Sequence, residues 1–194
     1  DYFSSKKEQP QFWKDYLSDC KSASPDHFVA FDCETTGLDI KRDRILSIGA
    51  IKFSNERIYV AQSMELFVRQ VELDEKTVSI HGILPSDAAV AELTEEEAII
   101  RFLNFISYAR LVGHHISFDV AMIDQALKRL GLGKLKNRTQ DTNSLFKKKH
   151  HFPQDQNVSL DEVCKRFSIK ESNRHTALGD AYITAVAHQR LSAM

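Results

Sequence analysis

Phe28-Val29-Ala30-Phe31-Asp32-Cys33-Glu34-Thr35-Thr36-Gly37 is the stretch around which the rest of the chain is arranged. Phe28 to Phe31 is an apolar run of the kind that forms a buried strand. Asp32 and Glu34 follow two positions apart, and side chains at that spacing leave a strand on the same face. Cys33 therefore points to the opposite face. Two neighbouring carboxylates repel, and a divalent cation held by oxygen ligands relieves that repulsion. Taken alone, the stretch fits a metal-holding strand end and a strand running into a polar loop equally well.

The chain has 194 residues, enough for one domain with a sizeable core, and its 42% apolar content is ordinary for a globular protein. No apolar run approaches the ~20 residues that span a bilayer. The N-terminus lacks the basic-then-apolar pattern of a secretory signal, and it begins with Asp1 rather than Met, which fits a trimmed chain or a fragment. Cys20, Cys33 and Cys164 are far apart and form no CxxC pair, which argues against a disulfide framework or a zinc site and fits a reducing cytoplasm. A net charge of −1 excludes a global basic field that would hold long nucleic acid nonspecifically. A polyanionic substrate would thus make a short contact, with bound cations supplying positive charge. The basic run Lys147-Lys148-Lys149-His150-His151 is expected to be solvated.

Working outward from Asp32, residues 1–26 form an N-terminal extension. Phe12, Trp13, Tyr16 and Leu17 share a face at helical spacing, and Ser22 to Asp26 ends that helix. Residues 27–194 are expected to form the main domain. Arg44 to Phe53 and Arg57 to Arg69 predict two further strands and, with the first, an antiparallel meander. Asp74 to Ala91 predicts only short helical turns. Thr94-Glu95-Glu96-Glu97 is a capping box that opens a helix to about Tyr108, buried through Ile99, Phe102, Leu103 and Ile106. Leu111 to His114 is a short strand, Phe118 to Leu130 a helix closed by Gly131, and Ser159-Leu160-Asp161-Glu162 a second capping box with a helix to Phe167. A last helix runs from His175 or Thr176 to Leu191. A meander followed by alternating helices and short strands is an α/β domain with a mixed sheet.

Two further acids and one histidine carry chemistry. Asp119 stands at a helix start, where the dipole alone would favour it, and Asp180 lies among small residues of the last helix, where it either borders a packed surface or faces solvent. His175 precedes Asp180 by five residues, more than one helical turn. A neutral imidazole suits proton abstraction near neutrality.

The segments Phe31-Asp32-Cys33-Glu34-Thr35-Thr36-Gly37, Gly113-His114-His115-Ile116-Ser117-Phe118-Asp119 and His175-Thr176-Ala177-Leu178-Gly179-Asp180 resemble, in order and spacing, the three motifs of the DEDD exonuclease superfamily. The histidine before the last Asp is similar to the DEDDh branch, which includes the proofreading epsilon subunit of bacterial DNA polymerase III. Ser79-Ile80-His81-Gly82-Ile83 and Asp141-Thr142 add lesser matches. The resemblance covers residues 27 to 191 and implies a ribonuclease H-like fold, a mixed five-stranded sheet flanked by helices. It implies a 3′–5′ exonuclease that hydrolyses phosphodiester bonds with two divalent ions, Mg²⁺ or Mn²⁺, and releases nucleoside 5′-monophosphates.

By that resemblance, Asp32 bridges the ions, Glu34 and Asp180 complete the one that activates water, Asp119 helps hold the other, and His175 accepts the water proton. Thr35, Thr36, Gly37, His81, Ile83, His114 and Phe118 are the implied substrate contacts. The implied partners are nucleic acid, DNA 3′ ends ahead of RNA, and a DNA polymerase, with no membrane; some members of the branch are homodimers. His115 departs from the Asn that the family often carries, which affects local contacts rather than the acids. Two readings compete with DNA hydrolysis. One is an exoribonuclease of the same branch, which would use the 2′-OH. The other is a non-catalytic module that binds nucleic acid or a partner and has kept the fold.

Overall fold

The computed structural model describes residues 8–20, 27–69, 93–153 and 155–194, so His81 and Ile83 lie outside the described residues. The elements in order are α1 (Gln11–Asp19), β1 (Phe28–Thr35), β2 (Ile45–Phe53), β3 (Ile58–Phe67), α2 (Glu95–Ile106), β4 (Arg110–Gly113), α3 (Ser117–Arg129), β5 (Thr139–Asp141), α4 (Thr142–His150), α5 (Leu160–Phe167) and α6 (Ala177–Ser192).

The five strands form one sheet in the order β3-β2-β1-β4-β5. β1 pairs antiparallel with β2, and β2 with β3, so the expected meander is present. β4 and β5 then add in parallel beside β1. The central strand β1 is nearly continuously apolar up to Asp32 because both of its faces are covered. Val29, Phe31 and Cys33 join the larger core cluster, with Ile99, Phe102 and Leu103 of α2 and Met122 and Ile123 of α3. Phe28 and Ala30 on the other face pack with Ala181 and Ala185 of α6. Cys33 therefore does face away from the two acids.

The caps predicted from sequence form. The Thr94 hydroxyl accepts from the Glu97 N–H and the Glu97 carboxylate accepts from the Thr94 N–H; Ser159 and Glu162 repeat the pattern. α6 is buried on several sides, between the sheet and a third cluster of Phe146, Val158 and Val163 that meets its Ala187 and Leu191. Its small residues let the backbone come close on each side.

α1 is an integral part of the core. Trp13 is 1% exposed, and the Tyr16 hydroxyl donates to Asn137 Oδ1 at 2.7 Å while accepting from the Lys136 N–H. Asn137 in turn donates to the carbonyls of Ser107 and Ala109. β5 is a strand that the sequence did not announce. Thr-Gln-Asp has no apolar run, and it becomes a strand only because parallel pairing with β4, Leu111 opposite Thr139, satisfies its backbone. No described helix is long and apolar enough to cross a membrane.

Candidate metal and nuclease site

Three elements bring the acids together. β1 supplies Asp32 and Glu34 on the side covered by α6, and Asp180 stands in the first turn of α6. The approach depends on Gly49, which pairs opposite Asp32: a Cβ there would lie 2.1 Å from the backbone of Ala177 and Leu178. Only glycine lets the start of α6 touch the sheet beside the acids. One ligand atom each from Asp32, Glu34 and Asp180 lies within 4.8 Å of the others. Asp119, 4% exposed in the first turn of α3, accepts the Cys33 N–H at 2.9 Å and so reaches β1 between the two acids. It stands outside the tight trio and beside it.

Electrostatics distinguishes this group from a solvated acidic patch. Burial pushes the Asp32 carboxyl well above the usual range, and the charges of Asp119, Asp180 and Glu34 push it further. Burial, then Asp180, raises Glu34 to about 7, while His175 and Arg174 oppose that shift. Burial raises Asp119 to about 7 against the stabilising Cys33 N–H. The Asp180 Oδ1 atom is buried with no hydrogen-bond partner among the described residues. Converging, partly desolvated carboxylates with an orphaned oxygen and an all-oxygen donor set fit a hard divalent cation.

His175 is exposed and sits in the left-handed region at φ 64°. It lies just before the Thr176 N-cap, close enough for its charge to act on Glu34, and its imidazole makes no hydrogen bond to any described residue. The turn before α6 is built tightly: the Thr176 hydroxyl donates to the Asn173 carbonyl and accepts from the Gly179 N–H. A Cβ on Gly179 would collide with that carbonyl at 2.0 Å.

The other expected contacts divide. Thr35 donates to the Gly37 carbonyl, and Thr36 donates to Asp43, whose carboxylate fills the space where a Gly37 side chain would stand. The loop 35–37 is thereby fixed beside Glu34. Phe118 is half-buried against the main core. Both ring nitrogens of His114 are used internally, at 2.9 Å from Thr142 Oγ1 and 2.8 Å from the Val158 carbonyl. His115, at φ 61°, in a left-handed region that Asn tolerates more readily than most residues, donates its N–H to Asp141.

Two residues here had no motif to mark them. Arg174 binds Asp161 Oδ1 at 2.7 Å through Nε and Asp180 through Nη1. The signal available was its place immediately before His175, in a site whose acids need a counter-charge. Leu38 is 83% exposed, directly after the 35–37 loop, an unusual position for a large apolar side chain.

A family model described as "Exonuclease" matches residues 29–187. The chain is 38% identical over 160 residues to the PolC-type DNA polymerase III of Caldanaerobacter subterraneus subsp. tengcongensis, covering 81% of this chain and 11% of that one. It is 34% identical over 161 residues to the PolC-type DNA polymerase III of Clostridium perfringens, covering 82% and 11%. The chain thus spans about a tenth of the length of these relatives. Among solved structures, it superposes on the zinc-ion-bound form of the E. coli ExoI–ssDNA complex with a TM-score of 0.75 at 18% identity, covering 88% of this chain and 41% of that one. A product-bound exonuclease I gives 0.72 at 16% identity, covering 88% and 44%. This likeness identifies the fold as the ribonuclease H-like exonuclease fold.

Proposed function

We infer, from the premise that the chain belongs to the exonuclease family, that it removes nucleotides from the 3′ end of single-stranded DNA and releases nucleoside 5′-monophosphates. The observation that carries this reading is the convergence of Asp32, Glu34 and Asp180, with Asp180 Oδ1 left without a partner among the described residues. Two divalent cations, Mg²⁺ or Mn²⁺, would when bound polarise the scissile phosphate and stabilise the charge on the attacking and leaving oxygens. Asp32, Glu34 and Asp180 would hold one of them, and Asp119 would share the other with Asp32.

His175 is the general base. Its exposed imidazole, with no hydrogen bond to any described residue, stands at the edge of the acids, where a neutral ring can take a proton from the attacking water. The fixed 35–37 loop forms the floor for the terminal nucleotide, with Leu38 offering an apolar surface to a base. His114 supports this floor from behind through its two internal hydrogen bonds, and Phe118 braces the start of α3. The choice of DNA rests on the relatives: those named above are DNA polymerases, and the structural neighbour is a complex with ssDNA. We assign the activity to residues 27–194, with 1–26 as an N-terminal extension whose helix α1 joins the core, and proofreading or repair beside a cytoplasmic polymerase as the setting.

The test is digestion of matched 5′-labelled DNA and RNA oligonucleotides with Mg²⁺, Mn²⁺ or EDTA. The expected result is a ladder shortening from the 3′ end, faster on DNA and abolished by EDTA. A ladder on RNA alone would make the chain an exoribonuclease, and no cleavage under any condition would make it a binding module.

A further inference from the structure

The strongest feature outside the family motifs is the chain of charges Asp161–Arg174–Asp180. The Arg174 side chain is 15% exposed and bridges two helices: Nε donates to Asp161 Oδ1 in the first turn of α5, and Nη1 donates to Asp180 Oδ2 in the first turn of α6. Its backbone is clamped between Asn173 at φ 57° and His175 at φ 64°. One oxygen of Asp180 is thus committed to a planar donor that is itself anchored. The other, Oδ1, is buried and has no partner among the described residues.

We propose that Arg174 is a positioning residue for the cation site: held by Asp161, it pins Asp180 Oδ2 and so presents Asp180 Oδ1 as a ligand beside Asp32 and Glu34. This rests on the metal-dependent reading above and extends it to two residues that the motifs do not contain. A fork anchored at both ends fixes the rotation of a carboxylate as a point charge does not. Hydrogen-bonded partners behind a ligand typically change metal affinity by roughly 10- to 100-fold when removed.

The sign of the effect separates positioning from charge. Arg174 carries a positive charge beside a cation site, so by charge alone its removal should tighten cation binding. Positioning requires the reverse.

The experiment is a titration of the full chain with Mn²⁺, followed by the electron paramagnetic resonance of free Mn²⁺. Arg174→Ala is expected to weaken binding roughly 10- to 100-fold. Arg174→Lys keeps the charge without the two-ended fork and is expected to weaken binding as well. Asp161→Asn, a conservative change at a carboxylate that is 45% exposed, guards against failure to fold and is expected to weaken binding by a smaller factor. Unchanged or tighter Mn²⁺ binding in Arg174→Lys and Asp161→Asn would overturn the proposal. A parent chain that binds no Mn²⁺ would overturn the metal-dependent reading, and this inference with it.

Discussion

Asp32 shows how a single side chain can serve function against stability. Its carboxyl is held well above the usual range by burial and by three neighbouring acids, so without a cation its charge is a burden on the fold. Asp32→Asn is expected to stabilise the cation-free protein by about 1–2 kcal/mol, while abolishing both nuclease activity and the thermal stabilisation produced by Mn²⁺. Calorimetry with and without Mn²⁺ checks both halves. His175→Ala has the opposite signature: Mn²⁺ binding retained and the rate down roughly 10²- to 10⁴-fold, the usual worth of a general base. Equal rates for His175→Ala and the parent would remove the histidine from the mechanism. At this scale the acids stood out as candidates through three motifs that resemble those of the exonuclease superfamily, while the two-residue spacing of Asp32 and Glu34 alone left a plain polar strand end equally open. Arg174 was not, since its meaning depends on Asp161 and Asp180, which only the packing of α5 against α6 brings to it.

Among the elements, α6 decides the site because it carries Asp180 and must touch β2 to deliver it. Gly49→Ala puts a methyl group 2.1 Å from the backbone of Ala177 and Leu178. The expected cost is about 1–3 kcal/mol with a large loss of activity, since the helix start must withdraw from Asp32. Urea unfolding and the nuclease assay measure the two effects; an unchanged pair would show that α6 does not need this contact. Further along α6, His188 is 1% exposed, lies against Phe28 and Phe53, and leaves Nε2 without a partner among the described residues. Burial depresses its pKa to about 4, so the folded state favours the neutral ring. Its contribution is therefore intact above the unfolded value of about 6.5 and is lost as the pH falls from there toward 4, by at most ~3 kcal/mol. His188→Leu should shift the midpoint of acid unfolding to lower pH. The elements themselves were mostly legible: the Thr94 and Ser159 capping boxes and the apolar start of β1 each specify structure locally. β5 was not, because three polar residues become a strand only where β4 offers them a pairing edge.

Across the whole molecule, the near-zero net charge and the concentrated acids point the same way: under the proposed function, the positive charge needed to meet a phosphodiester would come largely from bound cations. Glu34 and Asp119, both raised to about 7, and Asp32, also raised by burial and its acidic neighbours, stabilise the cation-free fold while protonated. That contribution is present at low pH and lost as the pH rises toward 7. A cation competes with those protons, so the thermal stabilisation from saturating Mn²⁺ should grow steadily between about pH 5.5 and pH 8. A gain independent of pH would mean that the cation binds elsewhere. The order of the main strands and helices, β5 apart, was readable from the chain alone, whereas the four acids were candidates only through the resemblance of their motifs. The integration of α1 was only partly so: its amphipathic face announced packing, but not that Tyr16, Lys136 and Asn137 would tie it to the segment before β5.

The most direct measurement uses a DNA oligonucleotide whose 3′-terminal nucleotide carries a radiolabelled phosphate on its 5′ side. With the parent chain and Mg²⁺, the first labelled product should be the nucleoside 5′-monophosphate, released before the remaining strand shortens further, with nothing released by Asp32→Asn. Label that stays in longer fragments, or release that persists in Asp32→Asn, would contradict hydrolysis at the 3′ end by this cluster of carboxylates.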